Sequence, residues 1–502
     1  MQLAQRTRDI LASLVVFLVA LPLCIGVAIA SGVPPAMGLV SGIIGGLVVG
    51  SLAGSPLQVS GPAAGLAVIV YEIVTQHGLA ALAPVVVLAG LLQMLAGRLQ
   101  LGRWLRAVAP PVVHAMLAGI GVLILGGQLH VLFDAAPSAG GLDNYIKFPG
   151  LVLDVLFGDL GAQLDAGIAG ATALVLIGVW NRVRAKSTSI LRTVPAALVA
   201  VIGATAVTQL FGLELTRVTV PSVVSELIAV PDIGIFARLL EPAVLLSSVA
   251  LFVIASAEGL LCAAAVDRLH EGAASDLDKE LFAQGAGNLF AGILGGLPVT
   301  GVIVRSTANI DAGATSRVSA VLHGLWLIGF VLVLPHVLQL IPVAALAAIL
   351  VSIGWKLIDV DVMRDLLAKD RGDLAVYAIT LGAIVLTSLL YGLAIGVVAS
   401  MMRLAWTASH LEIEISETDE FVEVDLLGAG TFVRVPELAG ALRGLPKGRT
   451  VRIHFEHLDF IDHAVLELVE DWEQEYERLG GKVLIAWHEL RQRTDRRLRR
   501  AA

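Results

Sequence analysis

The sequence contains little charge, few aromatic residues and almost no cysteine. Of its 502 residues, 15% are charged and 5% aromatic, whereas 57% are hydrophobic, and the mean hydropathy is +0.86. This balance excludes a soluble globular enzyme and predicts a chain whose main solvent is lipid. The two cysteines, Cys24 and Cys262, each lie inside an apolar run. That placement excludes a disulfide framework and favours packed thiols.

Long apolar stretches alternate with short polar connections from Ile10 to about Ser409. Their lengths suit helices that cross a hydrocarbon layer, and they predict about fourteen membrane segments. This number requires two half-length segments, which begin near Gly61 and Gly301, and a reversal of the chain at Leu390–Gly392. The first apolar run lacks a convincing cleavage site, so we expect it to remain as a membrane span.

The positions of lysine and arginine predict the orientation. If the N-terminus is cytoplasmic, the outside loops hold only Lys147, Arg217 and Arg238, and most other basic residues of the membrane region fall in inside loops. Basic residues stay on the cytoplasmic side of short loops. We therefore expect a multi-pass protein of the bacterial inner membrane with both chain ends in the cytoplasm and residues 133–165 in an external loop.

Two segments rich in glycine and proline, residues 54–62 and 295–302, interrupt the helical pattern. Ser60-Gly61 in the first recurs as Thr300-Gly301 in the second. Paired interruptions at corresponding positions of two halves indicate a transporter binding site. If each half has an odd number of spans, the second half is inverted, and the two half-helix N-termini face each other. The alternative is two unrelated kinks in tightly packed helices.

A half-helix that begins inside the bilayer exposes unpaired N–H groups and about half a positive charge at its N-terminus. Two such ends predict an anion site that needs no titratable group. Arg305 lies about one turn inside the second half-helix, so its side chain should point back toward the site. The alternative is that Arg305 snorkels or pairs structurally. The predicted site comprises the backbone N–H groups of Ser60, Gly61, Ala63, Thr300, Gly301 and Val302, with Arg305 as electrostatic support.

Glu258 is the only carboxylate within the eighth predicted span, and Arg305 is its expected partner. Protonation of Glu258 would raise the charge of the site from about +1 to about +2 and so tighten anion binding. By linkage, a bound anion favours protonation, which is the thermodynamic form of proton–anion symport. A sodium site is the rival, because a carboxylate and helix carbonyls suit hard cations. Cys262, one turn further on, is a poor sodium ligand and favours the proton.

The composition changes after Ser409. Alternating apolar and polar residues predict strands at 411–415, 421–426, 450–455 and 483–487 and helices at 436–443 and 463–479, which together form a small α/β domain. His454 to His457 resembles a metal cluster but alternates along a strand, so we expect no metal there. The spans contain no nucleophile–base or metal constellation, so we expect neither an enzyme nor a cofactor.

Several motifs resemble the sulfate permease (SulP) family. They are Pro22 with 28–35 and 38–39, then 59–62, 258–261, 280–281 with 284–285 and Asn288, and 305–309 with 313–315 and Ser319. The resemblance implies a seven-plus-seven inverted repeat, an elevator-like motion of a core against a gate, a substrate site between spans 3 and 10, and a dimer. It also implies a C-terminal STAS domain. Leu23, Val27 and Val304 replace residues that are often polar or aromatic in the family, and His463 stands where some STAS domains carry a phosphorylated serine.

Taken together, the patterns and the resemblance predict an α-helical polytopic transporter domain at 1–409, with repeats at about 10–212 and 240–409. A STAS domain at 410–490 and a basic tail at 491–502 follow. The predicted function is secondary active transport of sulfate, bicarbonate or a dicarboxylate by a homodimer, coupled to protons, with no nucleic-acid partner. The alternatives are a sodium-coupled bicarbonate importer of the same fold and a membrane-anchored STAS scaffold that transports nothing.

Overall fold

The chain folds into two compact units, residues 1–397 and 398–502. In the computed structural model, the described residues are 2–102, 110–138, 140–158, 161–187, 194–219, 230–272, 274–408, 410–418, 420–455 and 458–485. The predicted basic tail at 491–502 lies outside them. Within the described ranges, eight helices are long and apolar enough to cross a membrane. The predicted polytopic α-helical fold is therefore confirmed.

The first half of unit 1 consists of long helices interrupted once by an extended segment. The π-helical turn Gly45–Val49 and the turn Gly50–Leu52 continue α2. Amphipathic α6 accounts for half of the predicted external loop at 133–165. The elements are α1 (Gln2–Ala30), α2 (Pro35–Ile44), β1 (Ser60–Gly61), α3 (Ala64–His77), α4 (Leu82–Arg98), α5 (Pro110–Val131), α6 (Gly141–Phe157), α7 (Gly161–Lys186) and α8 (Ala196–Phe211).

The second half repeats this order, with a short strand and a half-helix after its second long helix. A single turn, Pro335–Leu338, precedes α13. The elements are α9 (Pro242–Asp267), α10 (Leu277–Ile293), β2 (Thr300–Gly301), α11 (Ile303–Asp311), α12 (Val318–Val333), α13 (Val343–Leu357), α14 (Val360–Lys369), α15 (Arg371–Leu386) and α16 (Leu389–Ala408). The correspondence of the two halves agrees with the predicted seven-plus-seven repeat.

The two half-helices are too short to cross the bilayer. α3 has 14 residues and α11 has nine, whereas a spanning helix needs about 20. Proline and glycine explain the interruptions. Pro62 precedes α3, and after α10 Gly295 adopts φ +70°, a conformation that glycine reaches at low cost. The chain therefore turns back toward the middle of the unit before each half-helix begins.

The reversal between the last two membrane helices lies at Thr387–Ser388, so its predicted position at Leu390–Gly392 is wrong. Tyr391 and Gly392 lie within α16. The reason is side-chain capping. The Ser388 hydroxyl accepts a hydrogen bond from the Tyr391 N–H at 3.4 Å, and the Glu72 carboxylate accepts one from the Leu389 N–H at 3.2 Å. These acceptors satisfy the first turn and let the helix begin early.

Unit 2 has its own hydrophobic core and contains a mixed sheet. The strands are β3 (Leu411–Glu417), β4 (Phe421–Gly430), β5 (Thr450–His454), β6 (Leu458–Ile461) and β7 (Lys482–Ile485), and the helices are α17 (Val435–Arg443) and α18 (His463–Arg478). The order is β3-β4-β5-β7, with β6 paired to β4. The predicted strands and helices are confirmed, whereas β6 was not predicted. Glu456 and His457 of the apparent metal cluster lie outside the described residues.

Candidate functional site

The two half-helices begin beside each other. β1 and β2 form a two-stranded antiparallel sheet in which Ser60 pairs with Gly301 and Gly61 with Thr300. Paired residues of such a ladder lie about 5 Å apart between Cα atoms. The predicted meeting of the two helix starts is therefore confirmed. We call the two strands together with the first turns of the half-helices, residues 60–66 and 300–305, the cradle.

The half-helix N-termini keep free hydrogen-bond donors. Neither N-cap residue, Ala63 or Val302, supplies a side-chain cap, so the first-turn N–H groups lack the usual side-chain acceptor. In α3 the Leu66 N–H donates instead to the Ala63 carbonyl at 3.1 Å. The Val302 N–H is different, because it donates to the Val59 carbonyl at 2.9 Å. This group, predicted to bind the anion, is thus already paired. The free donors of α11 are those of its first turn, Ile303 to Arg305.

The side chains of the two strands support the cradle from behind. The Ser60 hydroxyl accepts a hydrogen bond from Gln284 Nε2 at 2.7 Å, and the Thr300 hydroxyl donates to the Ala255 carbonyl at 2.9 Å. Both hydroxyls therefore bind neighbouring helices.

Arg305 reaches from α11 across to the start of α3. Its side chain is fully buried, and Nη2 donates to the Pro62 carbonyl at 3.3 Å and to Cys24 Sγ at 3.4 Å. A Cβ atom placed on Gly61 would lie 2.1 Å from Arg305 Nη1. Among the described residues, Nε and Nη1 have no hydrogen-bond partner. The guanidinium therefore points back into the cradle, as predicted, with two donors unused.

Glu258 lies on α9 against the first turn of α3. A Cβ atom placed on Gly65 would lie 2.6 Å from its Oε1, and Oε2 is buried without a hydrogen-bond partner among the described residues. Part of the side chain stays accessible. The carboxyl group thus faces the positive end of a half-helix.

The prediction of an ion pair between Glu258 and Arg305 is wrong. The guanidinium instead binds Pro62 and Cys24, and in the described part of the chain no nitrogen of Arg305 lies within ion-pair distance of Glu258. The reason is geometric. Arg305 spans the cradle from one helix start to the other, whereas Glu258 approaches α3 from a separate helix. Both charges therefore contact the same half-helix without contacting each other.

Cys262 lies one turn after Glu258 and does not provide a hydroxyl ligand. Its Sγ lies 3.6 Å from the Ser306 hydroxyl. The Ser306 hydroxyl in turn accepts a hydrogen bond from the Val59 N–H at 3.0 Å. Within the described ranges, no cluster of three His, Cys, Asp or Glu residues could hold a metal ion.

A second buried carboxylate, Glu280 on α10, fixes the chain that leads into β1. It accepts hydrogen bonds from the Gly54 and Ser55 N–H groups at 2.9 and 3.0 Å. It also accepts bonds from Gln58 Nε2 at 2.9 Å and Gln284 Nε2 at 2.7 Å. A Cβ atom placed on Gly301 would lie 2.1 Å from Gln58 Nε2. Glu280 therefore positions both strands, a role that sequence reasoning missed although the residue belongs to a recognised motif.

We expect Glu280→Ala to destabilise unit 1 strongly. The substitution removes the acceptor of the Gly54 and Ser55 N–H groups and of Gln58 Nε2, and leaves Gln284 Nε2 with Ser60 alone. A buried unsatisfied group costs about 1–3 kcal/mol. Thermal unfolding of the purified protein in detergent should show a melting temperature several degrees lower. Glu271→Ala, at an exposed position in the loop after α9, is the control and should leave the melting temperature unchanged. Equal melting temperatures for the two variants would contradict this role.

Two cavities lie beside the half-helices. One, of about 290 Å³, is lined by Leu23, Ile303 and Val304 at one end and by Arg184, Asp311 and Lys356 at the other. The second, of about 70 Å³, is lined by residues that include Ala67, Tyr71 and Glu72 of α3, Gln128 of α5 and Asn144 of α6. Each half-helix therefore borders one cavity.

Comparisons with known proteins agree with this architecture. A model of the Sulfate permease family matches residues 7–380. The chain is 30% identical over 398 residues to YvdB of Bacillus subtilis, which is provisionally named a sulfate transporter. This match covers 79% of this chain and 73% of YvdB. It is 25% identical over 440 residues to the bicarbonate transporter BicA of Picosynechococcus, covering 83% and 74%.

Two solved structures share the fold. The transmembrane domain of a cyanobacterium bicarbonate transporter BicA superimposes with a TM-score of 0.65 at 22% identity, covering 79% of this chain and 97% of that one. Murine Solute Carrier 26 family member A9, an anion transporter in the inward-facing state, superimposes with a TM-score of 0.78 at 16% identity, covering 95% and 85%. At such identities the likeness establishes the fold alone.

Proposed function

The chain belongs to the sulfate permease family, and from this premise we propose that it is a secondary active carrier that moves a small anion together with a proton. Membership makes it a multi-pass membrane protein and an anion transporter rather than an enzyme. The coupling ion, the direction of coupling and the moving parts are the proposal.

The observation that carries this function is the meeting of two uncapped helix starts beside a buried arginine. Each start contributes about half a positive charge, so the two starts and Arg305 together present about +2 before Glu258 is counted. A buried charge without a full set of partners is costly. The free first-turn N–H groups and the unpaired Nε and Nη1 of Arg305 are the donors that a bound anion would satisfy. We propose Ser60, Gly61, Ala63, Thr300, Gly301 and Arg305 as its contacts. The first-turn N–H groups of α11 take the place of the Val302 N–H, which is already paired.

We propose Glu258 as the coupling residue. It borders the start of α3, and no cationic side chain of the described residues pairs with it, so its proton changes the charge of the cradle directly. A protonated Glu258 leaves about one more positive charge for the anion. Anion and proton therefore favour each other's binding, and the carrier moves them together. The rival is sodium coupling through the same carboxylate.

The cradle is proposed to open alternately toward the two cavities. An elevator-like motion would carry the paired half-helices past α5, α7, α8, α13 and the helices that follow, and expose the anion first on one side and then on the other. The basic residues Arg184 and Lys356 support a cytoplasmic position for the cavity that they line, on the same side as both chain ends. We further propose a homodimer in the bacterial inner membrane.

Uptake by the purified protein in liposomes tests the function. Labelled sulfate, bicarbonate, chloride and succinate are compared, each with an inward proton gradient, with an inward sodium gradient and with no gradient. We expect accumulation of at least one anion driven by the proton gradient. Accumulation that requires sodium would establish the rival, and no uptake of any anion would contradict the proposal.

Unit 2 is proposed to be a STAS domain, with Asp462 at the start of α18. The Asp462 side chain accepts a hydrogen bond from the Val465 N–H at 3.0 Å, and His463 is the first residue of the helix. The strands and two helices fit such a domain. The domain boundaries 1–409, 410–490 and 491–502 remain part of this proposal.

Deletion of residues 410–502 distinguishes a carrier from a scaffold. Because the cradle lies entirely within unit 1, the shortened protein should retain uptake of the transported anion in liposomes. Full-length protein purified in parallel is the control. A complete loss of uptake in a folded, membrane-inserted deletion variant would favour a protein whose activity depends on the STAS domain.

A further inference from the structure

The larger cavity ends in a group of charged side chains that the carrier mechanism above does not use. Arg184 on α7 and Lys356 on α13 line it, opposite Asp311 at the end of α11. Arg184 Nη2 lies 3.5 Å from Asp311 Oδ2, and both side chains are partly exposed. Within the described ranges, no carboxylate lies within ion-pair distance of Lys356. Among the described residues that line this cavity, Arg184 and Lys356 are the positively charged ones and Asp311 is the negatively charged one.

This group is separate from the cradle. α11 has nine residues, so Asp311 lies about 12 Å from the first residue of the helix at 1.5 Å per residue. An anion beside Arg184 and Lys356 could not touch the first-turn N–H groups of α11 at the same time. It would still share the cavity, which Ile303 and Val304 also line.

We propose that Arg184 and Lys356 form a second anion-binding subsite at the cytoplasmic entrance, and that a bound anion takes the place of Asp311 beside Arg184. The proposal rests on the function proposed above, since it gives the anion a stop on its way to the cradle. The ligand class is a small oxyanion or halide, because guanidinium and ammonium groups bind such ions through charge and N–H donors.

An anion bound in the subsite also removes an ion pair between α11, which is proposed to move, and α7, which surrounds the cradle. Asp311 ends the half-helix α11, whereas Arg184 belongs to α7 outside the cradle. While the two pair, α11 is held against α7. An anion that takes Arg184 from Asp311 removes this contact, so anions on the cytoplasmic side are expected to accelerate transport.

Sulfate binding to purified protein tests the subsite. The full chain carrying Arg305→Gln, which weakens the cradle, is titrated with sodium sulfate against sodium gluconate at equal ionic strength, and the melting temperature is recorded. Sulfate stabilises many proteins without a site. The matched control is therefore Arg182→Gln, at an exposed position of the same helix outside the cavity lining.

Adding Arg184→Gln or Lys356→Gln is expected to raise the sulfate concentration needed for half-saturation by about tenfold, since hydrogen bonds to charged groups are the strong ones. Asp311→Asn should instead lower the sulfate concentration needed for half-saturation by about two- to fivefold, because it removes a surface carboxylate that competes with sulfate for Arg184. If the ion pair were merely structural, substitution of either Arg184 or Asp311 would lower the melting temperature and leave the sulfate concentration needed for half-saturation unchanged. If Arg305→Gln does not fold, the same comparisons in the wild-type background replace it.

A sulfate response of Arg184→Gln and Lys356→Gln equal to that of Arg182→Gln would overturn the subsite. The uptake assay keeps the two proposals distinct. Liposome uptake with an unaltered sulfate response would leave the carrier intact and remove only the subsite. Absence of all anion uptake would remove the carrier function itself.

Discussion

Replacing Gly61 with alanine is expected to reduce uptake of the transported anion by about 10- to 100-fold, the range that corresponds to losing one charge-assisted interaction. The added Cβ atom would lie 2.1 Å from Arg305 Nη1, so the guanidinium must move away from the start of α3. The arginine side chain is flexible enough to do this without unfolding the unit. The melting temperature should therefore change little while transport is lost.

Gly178→Ala is the matched control for this prediction. Gly178 lies on α7, and a Cβ atom placed there meets nothing within 4 Å. The substitution adds the same methyl group to a membrane helix without touching the cradle, so uptake should equal that of the wild type. Wild-type uptake in Gly61→Ala would show that the position of Arg305 does not matter for the anion.

Glu258→Gln is expected to abolish proton-driven accumulation while preserving exchange of the anion down its own gradient. Glutamine mimics the protonated acid and fixes the cradle at its higher positive charge. In the wild type, anion binding should tighten as the pH falls, because protonation of Glu258 removes a negative charge from the start of α3. In Glu258→Gln this dependence on pH should disappear, and binding at alkaline pH should be tighter than in the wild type.

Proteoliposome uptake with and without a proton gradient, together with counterflow at equal pH, measures the two activities separately. Glu271→Gln, in an exposed loop, is the control and should keep both. Full proton-driven accumulation by Glu258→Gln would remove Glu258 from the mechanism. Loss of counterflow as well would assign it a role in binding rather than in coupling.

The cradle could be predicted from sequence because its cause is local. Gly61, Pro62 and Gly301 lie in clusters of glycine and proline, and such clusters disfavour a continuous helix. The repetition of Ser60-Gly61 as Thr300-Gly301 then supplied the pairing that β1 and β2 realise. The direction of the Arg305 side chain also followed from a local rule, since helical side chains lean toward the N-terminus.

Contacts between distant segments were beyond the sequence. Opposite charges suggested that Glu258 binds Arg305, but the Pro62 carbonyl and Cys24 occupy the guanidinium. The same holds for Glu280, whose four donors come from one segment, residues 54–58, more than 200 positions away and from its own helix. Which buried group finds which partner depends on the packing of helices, and no spacing rule encodes it.

The predicted position of the chain reversal before α16 was wrong for a related reason. Tyr391-Gly392 looked like a turn, but a glycine is tolerated inside a helix when the first turn is satisfied elsewhere. Glu72 supplies that acceptor from α3. A local glycine signal was therefore outweighed by a carboxylate from the other half of the unit. Strand β6 was missed because its four residues are too few to show a pattern.

The position of the bound anion is the most direct test of these conclusions. The protein is purified with the anion that the uptake panel identifies, and its structure is determined at a resolution that shows bound solutes. We predict density for the anion between the starts of α3 and α11, within hydrogen-bond distance of first-turn N–H groups and facing Arg305. Density for the anion elsewhere in unit 1, with the two helix starts vacant, would contradict a carrier built on facing half-helices.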